Sequence, residues 1–123
     1  VLSVYENIVL PVELDGRKID KDFLDDVLDI LSLKEKIFNL PNTLSGGQQQ
    51  RVAIARAIIS KPAVILADEP TGNLDSKTSG DVIKLLRTVN QRFEQTLIMI
   101  THNLEIAQLS DRIINIIDGK VDI

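Results

Sequence analysis

Two adjacent carboxylates, Asp68 and Glu69, follow an apolar run from Ala63 to Ala67 and have the residue types needed for metal or water chemistry. The run contains Val and Ile and lies between Pro62 and Pro70, which predicts a short strand buried on both faces. At the carboxyl end of such a strand, where an open parallel sheet binds ligands, successive residues point to opposite sides. One acid can then hold a hydrated Mg²⁺ while the other orients or deprotonates a water, as phosphoryl transfer requires. The alternative is a solvated strand end at which two acids happen to be adjacent.

A second group, Ser45-Gly46-Gly47-Gln48, precedes apolar residues at helical spacing. Ser45 followed three residues later by Gln48 predicts a capping box at the start of an amphipathic helix over 45–60. A cap does not explain the two glycines, each of which costs a helix about 1 kcal/mol relative to alanine. Glycine lets a ligand approach bare backbone N–H groups at the positive end of the helix dipole, an arrangement that suits a phosphate. We therefore favour a phosphate contact over a plain cap.

Two more polar residues complete the set of candidates. Asp75 and Asn73 stand before a predicted helix, and either residue can cap it. His102 follows a second apolar strand over Thr96 to Ile100. The segment from Glu69 to His102 has about the length of one βαβ unit, in which a right-handed crossover makes the two strands parallel. We therefore expect Glu69 and His102 at the same edge of the sheet.

In this order, the motifs resemble the ATPase domain of ABC transporters. The family's signature motif, Walker B, D-loop and switch histidine correspond to Leu44-Ser45-Gly46-Gly47-Gln48, Val64 to Glu69, Leu74-Asp75 and His102. The resemblance covers the second half of that domain only, because no G-x-x-x-x-G-K-[ST] phosphate loop occurs in the sequence. We interpret the chain as a fragment that lacks the phosphate-loop half, the adenine-stacking aromatic residue and the glutamine loop.

The resemblance implies an α/β fold, as part of a P-loop NTPase of the ABC type. Its sheet would be mostly parallel, with flanking helices and a helical subdomain. Residues 1–40 would form part of the helical subdomain, and residues 41–123 would form the C-terminal part of the ATPase core. In the family, the strand before the phosphate loop lies between the strands that correspond to 96–100 and 113–117. Without that strand the sheet would have unpaired edges, which predicts a dimer, a swapped assembly or a rearranged sheet.

The resemblance further implies an ATPase with ATP and Mg²⁺ as cofactors. Glu69 would polarise the attacking water, His102 would contact the γ-phosphate and that water, and Asp68 would hold the metal. Two such domains pack head to tail in this family, so some residues would act on the nucleotide of the partner domain: Ser45, Gly46, Gly47, Gln48 and Asp75. The isolated chain is expected neither to bind ATP tightly nor to hydrolyse it.

The expected partners are a second ATPase domain in a homodimer and the membrane-spanning subunits of a transporter. The resemblance places such a protein in the cytoplasm, peripheral on the inner face of the cell membrane, with no direct insertion into the membrane. The version of the D-loop region from Thr71 to Asp75 most resembles exporters of lipoproteins, macrolides or antimicrobial peptides.

Composition limits the alternatives. A net charge of −4 and a pI near 4.9 argue against a nucleic-acid surface. The absence of cysteine excludes disulfides and thiolate metal sites, and no apolar run has the length of a membrane span. Two other functions remain open: a non-transport ATPase of the same superfamily that acts on DNA or the ribosome, and a catalytically dead binding module.

The remaining segments predict the elements that position the site. A first helix with Val4, Ile8 and Val9 should end before Pro11, and Asp20 should cap the next helix. The expected core faces of the second and fourth helices comprise Phe23, Leu24, Val27, Leu28 and Leu31, and Val82, Leu85, Leu86 and Val89. Asn103 should cap a short helix, and a hairpin should join strands over 112–117 and 121–123 through Asp118-Gly119.

Overall fold

The computed structural model describes residues 1–122 of the 123-residue chain, so Ile123 lies outside the described residues. Its elements are α1 (Val4–Leu14), α2 (Lys21–Ile30), two 3₁₀ helices (Lys34–Lys36 and Pro41–Thr43), α3 (Gly46–Ile58), β1 (Val64–Asp68), α4 (Ser76–Phe93), β2 (Thr96–Ile100), α5 (Leu104–Ala107), β3 (Asn115–Ile117) and β4 (Lys120–Asp122). Helix α3 lies in the middle of the fold, because α1, α2 and α4 all pack against it.

The first helix is longer than predicted, because it continues through Pro11 to Leu14. Ser3 and Glu6 form a capping box at its start, a local signal that the sequence analysis missed. The prediction that the helix ends before Pro11 is wrong for a packing reason. Val12 belongs to the same buried face as the preceding apolar residues of α1, and burial of such a side chain contributes about 1.5–3 kcal/mol. That contribution offsets much of the cost of proline within a helix.

Helix α2 begins as predicted, with the Asp20 carboxylate accepting a hydrogen bond from the N–H of Phe23 at 3.1 Å. Its apolar face is buried in the core, and Leu31, which directly follows the helix, is fully buried as well. The acidic face is exposed and forms ion pairs with basic residues of neighbouring elements. Asp20 pairs with Lys61 at 2.8 Å, and Asp26 pairs with Arg92 at 3.1 Å. These pairs connect α2 to the segments that flank β1 and β2.

Two groups of apolar side chains form the core. The larger group joins α1, α2 and α3 with Ile65 of β1 and Val89 of α4. The smaller group consists of Val82, Ile83 and Leu86 of α4, with partly buried residues of β2 packed against it. Ile83 was not among the residues predicted for this face, whereas Leu85, which was, is only partly buried.

The strands β1 and β2 pair in parallel, as predicted, with Val64 opposite Thr96 and Asp68 opposite Ile100. The prediction that β1 is buried on both faces is wrong. Ile65 is 8% exposed, whereas Leu66 is 77% exposed. The helices cover only one face of this two-stranded sheet, and nothing in residues 1–122 covers the other face.

The end of the chain forms a separate antiparallel hairpin. Strand β3 is shorter than the predicted strand over 112–117, and it pairs with β4 through the predicted turn at Asp118-Gly119. Both turn residues have positive φ values, +50° and +74°, which is the geometry of a two-residue hairpin turn. Within the described part of the chain the hairpin does not join the β1–β2 sheet, so both of those strands have an unpaired edge.

Candidate functional site

The sheet brings Glu69 and His102 together, as the sequence predicted. The parallel ladder ends with Asp68 opposite Ile100, and the N–H of Glu69 then donates to the carbonyl of Ile100 at 2.9 Å. This extra bond fixes Glu69 at the carboxyl edge of the sheet, next to the turn that carries His102. Because β1 and β2 are parallel and in register, the residues that follow them emerge at the same edge.

The carboxylate of Glu69 holds His102 at two points. Its Oε1 atom accepts a hydrogen bond from the backbone N–H of His102 at 3.0 Å, and the same oxygen lies 3.4 Å from Nε2 of the imidazole. The His102 side chain is 97% exposed, so its ring can reach a ligand at the sheet edge. The pair therefore presents a carboxylate and an imidazole to one small volume, as activation of a water beside a phosphate requires.

The backbone of Glu69 is unusual. Its φ of +47° lies in the left-handed region, which costs a residue other than glycine about 1–3 kcal/mol when the surroundings impose it. The ladder bond on its N–H side and a bond from the N–H of Gly72 to its carbonyl, at 3.1 Å, hold this conformation. Such strain is common at functional sites, and in this conformation the carboxylate bonds the N–H of His102.

Asp68 is the last residue of β1 and its side chain is exposed at the same edge. No hydrogen bond or ion pair of its carboxylate occurs within residues 1–122, so the side chain is available to a ligand. No cluster of three metal-ligating side chains occurs in that range either. Mg²⁺ is commonly bound through one or two carboxylates together with waters and substrate phosphates, so a single exposed Asp68 fits this metal.

The start of α3 has the predicted capping box. The Ser45 hydroxyl accepts from the N–H of Gln48 at 3.2 Å, and the Gln48 side chain accepts from the N–H of Ser45 at 3.0 Å. The N–H groups of Gly46 and Gly47 have no acceptor among the described residues, as expected for the first turn of a helix. These two donors lie at the positive end of the α3 dipole and can receive an anion.

The reason for the second glycine differs from the one predicted. Gly46 is exposed, but Gly47 is buried, and a Cβ on Gly47 would lie 2.7 Å from Cγ2 of Thr78. A Cβ on Gly46 would lie 3.0 Å from Cδ2 of Leu74. The approach of α4 to the Cα atom of Gly47 is therefore a reason for glycine at this position that the sequence did not predict, and contact of the Gly46 and Gly47 amides with a ligand stays a prediction.

Asp75 is the residue that caps α4, rather than Asn73. Its Oδ1 atom accepts from the N–H of Thr78 at 2.7 Å, and hydrogen bonding from the Thr78 side chain and backbone lowers the pKa of the Asp75 carboxyl. The starts of α3 and α4 enclose a cavity of about 240 Å³, lined by Ser45, Gly47, Gln48, Arg51, Thr78, Asp81 and Val82. Through Leu74 and Thr78, the structure brings the segment that carries Asp75 against the start of α3.

The candidate site residues form two separate clusters. Within residues 1–122, no hydrogen bond or ion pair joins a site residue of one cluster to a site residue of the other. Glu69, His102 and Asp68 lie at the sheet edge, and the start of α3 packs against Leu74 and Thr78, which flank Asp75. A residue that the sequence analysis did not single out connects them: the Gln50 side chain of α3 donates to the carbonyl of Pro70, directly after Glu69. Gln50 follows two other glutamines, and no pattern in that run marks it.

Comparison with known proteins places these groups in a family. The sequence matches the family described as ABC transporter over residues 2–72, more than half of the chain. The chain belongs to the ABC transporter family. The match includes the residues predicted as signature motif and Walker B, so the resemblance inferred from the motifs is confirmed.

Individual ABC relatives are similar along nearly the whole chain. The lipoprotein-releasing system ATP-binding protein LolD of Rickettsia typhi is 46% identical over 124 residues, which is 98% of this chain and 56% of that protein. The corresponding LolD 1 of Chlorobium chlorochromatii is 44% identical over 122 residues, which is 97% of this chain and 50% of that protein. The chain therefore spans about half the length of these ABC relatives.

Solved ABC cassettes have the same fold. The dimeric structure of MJ0796, titled a bacterial ABC transporter cassette, aligns with a TM-score of 0.78 at 41% identity, over 99% of this chain and 55% of that one. A post-hydrolysis dimer of MJ0796 bound to ADP and Pi aligns with a TM-score of 0.77 at 40% identity. The predicted α/β fold of an ABC-type ATPase is confirmed.

Proposed function

We propose that the intact protein is the ATP-hydrolysing subunit of an ABC transporter, and that residues 1–123 contribute two parts of its catalytic machinery. The contact of Glu69 with His102 at the carboxyl edge of a parallel sheet supports this proposal most directly. Glu69 polarises the attacking water, and His102 contacts the γ-phosphate and that water. Both roles require an exposed carboxylate and an exposed imidazole within a few ångströms of one another.

ATP and Mg²⁺ are the proposed cofactors. Asp68 would hold the metal through its exposed carboxylate, and the metal would neutralise the charge that develops on the phosphates. No group of three or more candidate metal-ligating side chains occurs among the described residues, so the phosphates and waters would supply the other ligands. The nucleotide phosphates themselves would be held by a phosphate loop outside this sequence.

The proposed active state is a head-to-tail dimer of two ATPase domains. Ser45, Gly46, Gly47 and Gln48 of one domain would meet the γ-phosphate held by the other, and Asp75 would reach across the interface. The two unsatisfied amides at the start of α3 support this arrangement, since no group of the described chain occupies them. A dimer and an ADP-bound post-hydrolysis state are recorded for the similar cassette MJ0796.

The membrane-spanning subunits of the transporter are the other proposed partner. Residues 1–40 would belong to the helical subdomain that receives them, and residues 41–123 to the ATPase core. No helix among the described residues combines the length and apolar character needed to cross a membrane. We propose a cytoplasmic protein that is peripheral on the inner membrane face. The LolD relatives favour lipoproteins as the cargo class.

The test is ATP hydrolysis by the full-length gene product that contains this chain. Glu69→Gln keeps the hydrogen-bond acceptor for the N–H of His102 but removes the base, and it should lower kcat about 10²- to 10⁴-fold. The matched control is Glu13→Gln, which changes an exposed glutamate at the end of α1. The isolated 123-residue chain should show no turnover. A Glu69→Gln protein as active as wild type would disprove the proposed role.

A further inference from the structure

Among residues 1–122, Thr78 is the one residue whose side chain would clash with a side chain at position 47. Apart from its sequence neighbours and the backbone of its own helix, the Cγ2 atom of Thr78 is the one described heavy atom within 4 Å of a Cβ built on Gly47. The separation of 2.7 Å is too short for two carbon atoms. The methyl group of Thr78 therefore occupies the space that any larger residue at position 47 would need.

The same residue contacts Asp75. The N–H of Thr78 donates to Oδ1 of Asp75 at 2.7 Å, which completes the cap of α4. One turn of α4 thus touches the α3 amide region through the Thr78 methyl group and holds Asp75 through the Thr78 backbone. A second contact lies beside it, where Leu74 packs on Gly46. The starts of the two helices form one packed unit.

We propose that Thr78 is a positioning residue that fixes Asp75 relative to the α3 amides, and that position 47 lacks a Cβ because the Thr78 methyl group occupies that space, while the N–H of Gly47 stays open to the γ-phosphate. The inference rests on the proposed function, in which both groups face the partner domain. Because the two helix starts are packed together, the amides and Asp75 reach the partner's nucleotide as one rigid surface. No separate movement of Asp75 is then needed when the amides engage the γ-phosphate.

The two explanations of Gly47 make opposite predictions for a compensating change. If the missing Cβ instead makes room for the ligand, a side chain at position 47 blocks function whatever residue stands at position 78. If the contact with Thr78 is the cause, removal of the Thr78 methyl group makes room for a Cβ. Thr78→Ser removes that methyl group and keeps the hydroxyl and the N–H that caps Asp75. Thr78→Val keeps a methyl branch but loses the hydroxyl, which hydrogen-bonds Asp75, so Thr78→Val alone is the reference for its combination with Gly47→Ala.

The experiment uses the full-length gene product and measures kcat and KM for ATP below the thermal midpoint of every variant. Gly47→Ala should lower kcat about 100-fold, since small displacements of positioning groups have effects of this size. KM should change little, because a phosphate loop outside this sequence would hold most of the nucleotide. Combining Gly47→Ala with Thr78→Ser should return kcat close to that of Thr78→Ser alone, whereas combining it with Thr78→Val should not. Gly80→Ala is the control, since a Cβ there meets nothing within 4 Å.

Each result of this experiment either supports or rejects the positioning role of Thr78. A Gly47→Ala, Thr78→Ser protein as inactive as Gly47→Ala would overturn the inference, and so would full activity of Gly47→Ala. If the wild-type protein hydrolyses no ATP, the proposed function fails first, and the positioning role fails with it. Recovery of the thermal midpoint by Thr78→Ser without recovery of kcat would reduce the contact to simple packing and would also reject the positioning role.

Discussion

Pro11 allows a direct test of whether packing of α1 outweighs the low helix propensity of proline. Pro11 lies well inside the helix Val4–Leu14 and has no N–H to donate to the carbonyl of Asn7. Pro11→Ala restores that donor and removes the steric conflict of the ring with the preceding turn. The buried face of α1 does not include Pro11, so the substitution leaves the core unchanged. We expect the variant to be more stable than wild type.

The size of the effect follows from two opposing contributions. Proline in a helix interior is about 3 kcal/mol less favourable than alanine. Alanine makes the unfolded chain more flexible, which lowers the free energy of unfolding by about 0.4–1 kcal/mol. The expected gain is therefore about 2 kcal/mol. With an unfolding entropy of about 2.1 cal/mol/K per residue, or about 0.26 kcal/mol/K for 123 residues, Tm should rise by about 8 °C.

Urea denaturation followed by circular dichroism measures this gain directly. Pro41→Ala is the matched control, because Pro41 is the first residue of a 3₁₀ helix, where its missing N–H costs nothing. That control should lose about 0.4–1 kcal/mol, since it only makes the unfolded chain more flexible. A Pro11→Ala variant no more stable than wild type would show that α1 does not continue through residue 11.

Two further predictions concern the candidate site and the sheet. The pKa of the Asp75 carboxyl is lower in the folded protein than the value of 3.8 in the unfolded chain. Ionised Asp75 therefore stabilises the fold at pH values above 3.8, and this stabilisation is lost as pH falls through the pKa of the folded state. Asp75→Asn keeps an acceptor that does not titrate, so its stability relative to wild type should improve as pH falls below about 4 in denaturation experiments. The isolated chain should form dimers or swapped assemblies, because both strands of the β1–β2 sheet have unpaired edges. Light scattering that finds a compact monomer at high concentration would contradict this expectation.

The contact between Gly47 and Thr78 changes how the signature glycines are understood. Sequence reasoning assigned both glycines to the approach of a ligand, because a cap alone does not require them. The structure keeps that explanation for Gly46, which is exposed although Leu74 lies close to it, and gives Gly47 a tighter packing contact within its own fold. Each glycine can therefore be tested separately, and only position 47 should respond to a change at Thr78.

Features that depend on near neighbours could be predicted from the sequence. The caps at Asp20, Ser45 and Asn103 join a side chain to a backbone N–H two or three residues away, so residue type and spacing are sufficient to find them. The hairpin turn at Asp118-Gly119 is local in the same way. The proximity of Glu69 and His102 followed from connectivity, because a βαβ unit of this length places the ends of its two strands at one edge.

Tertiary packing decided the rest. The exposure of Leu66, the helix through Pro11 and the burial of Gly47 all depend on which element lies against each residue, and residue type does not specify that. In a close-packed interior, a single methyl group can decide which side chain fits at a residue far away in the sequence. The amino-acid sequence therefore determined which groups can do chemistry and where α2, α3 and α5 begin. The approach of α4 to α3 determined why position 47 is glycine and how Asp75 is held beside the free amides.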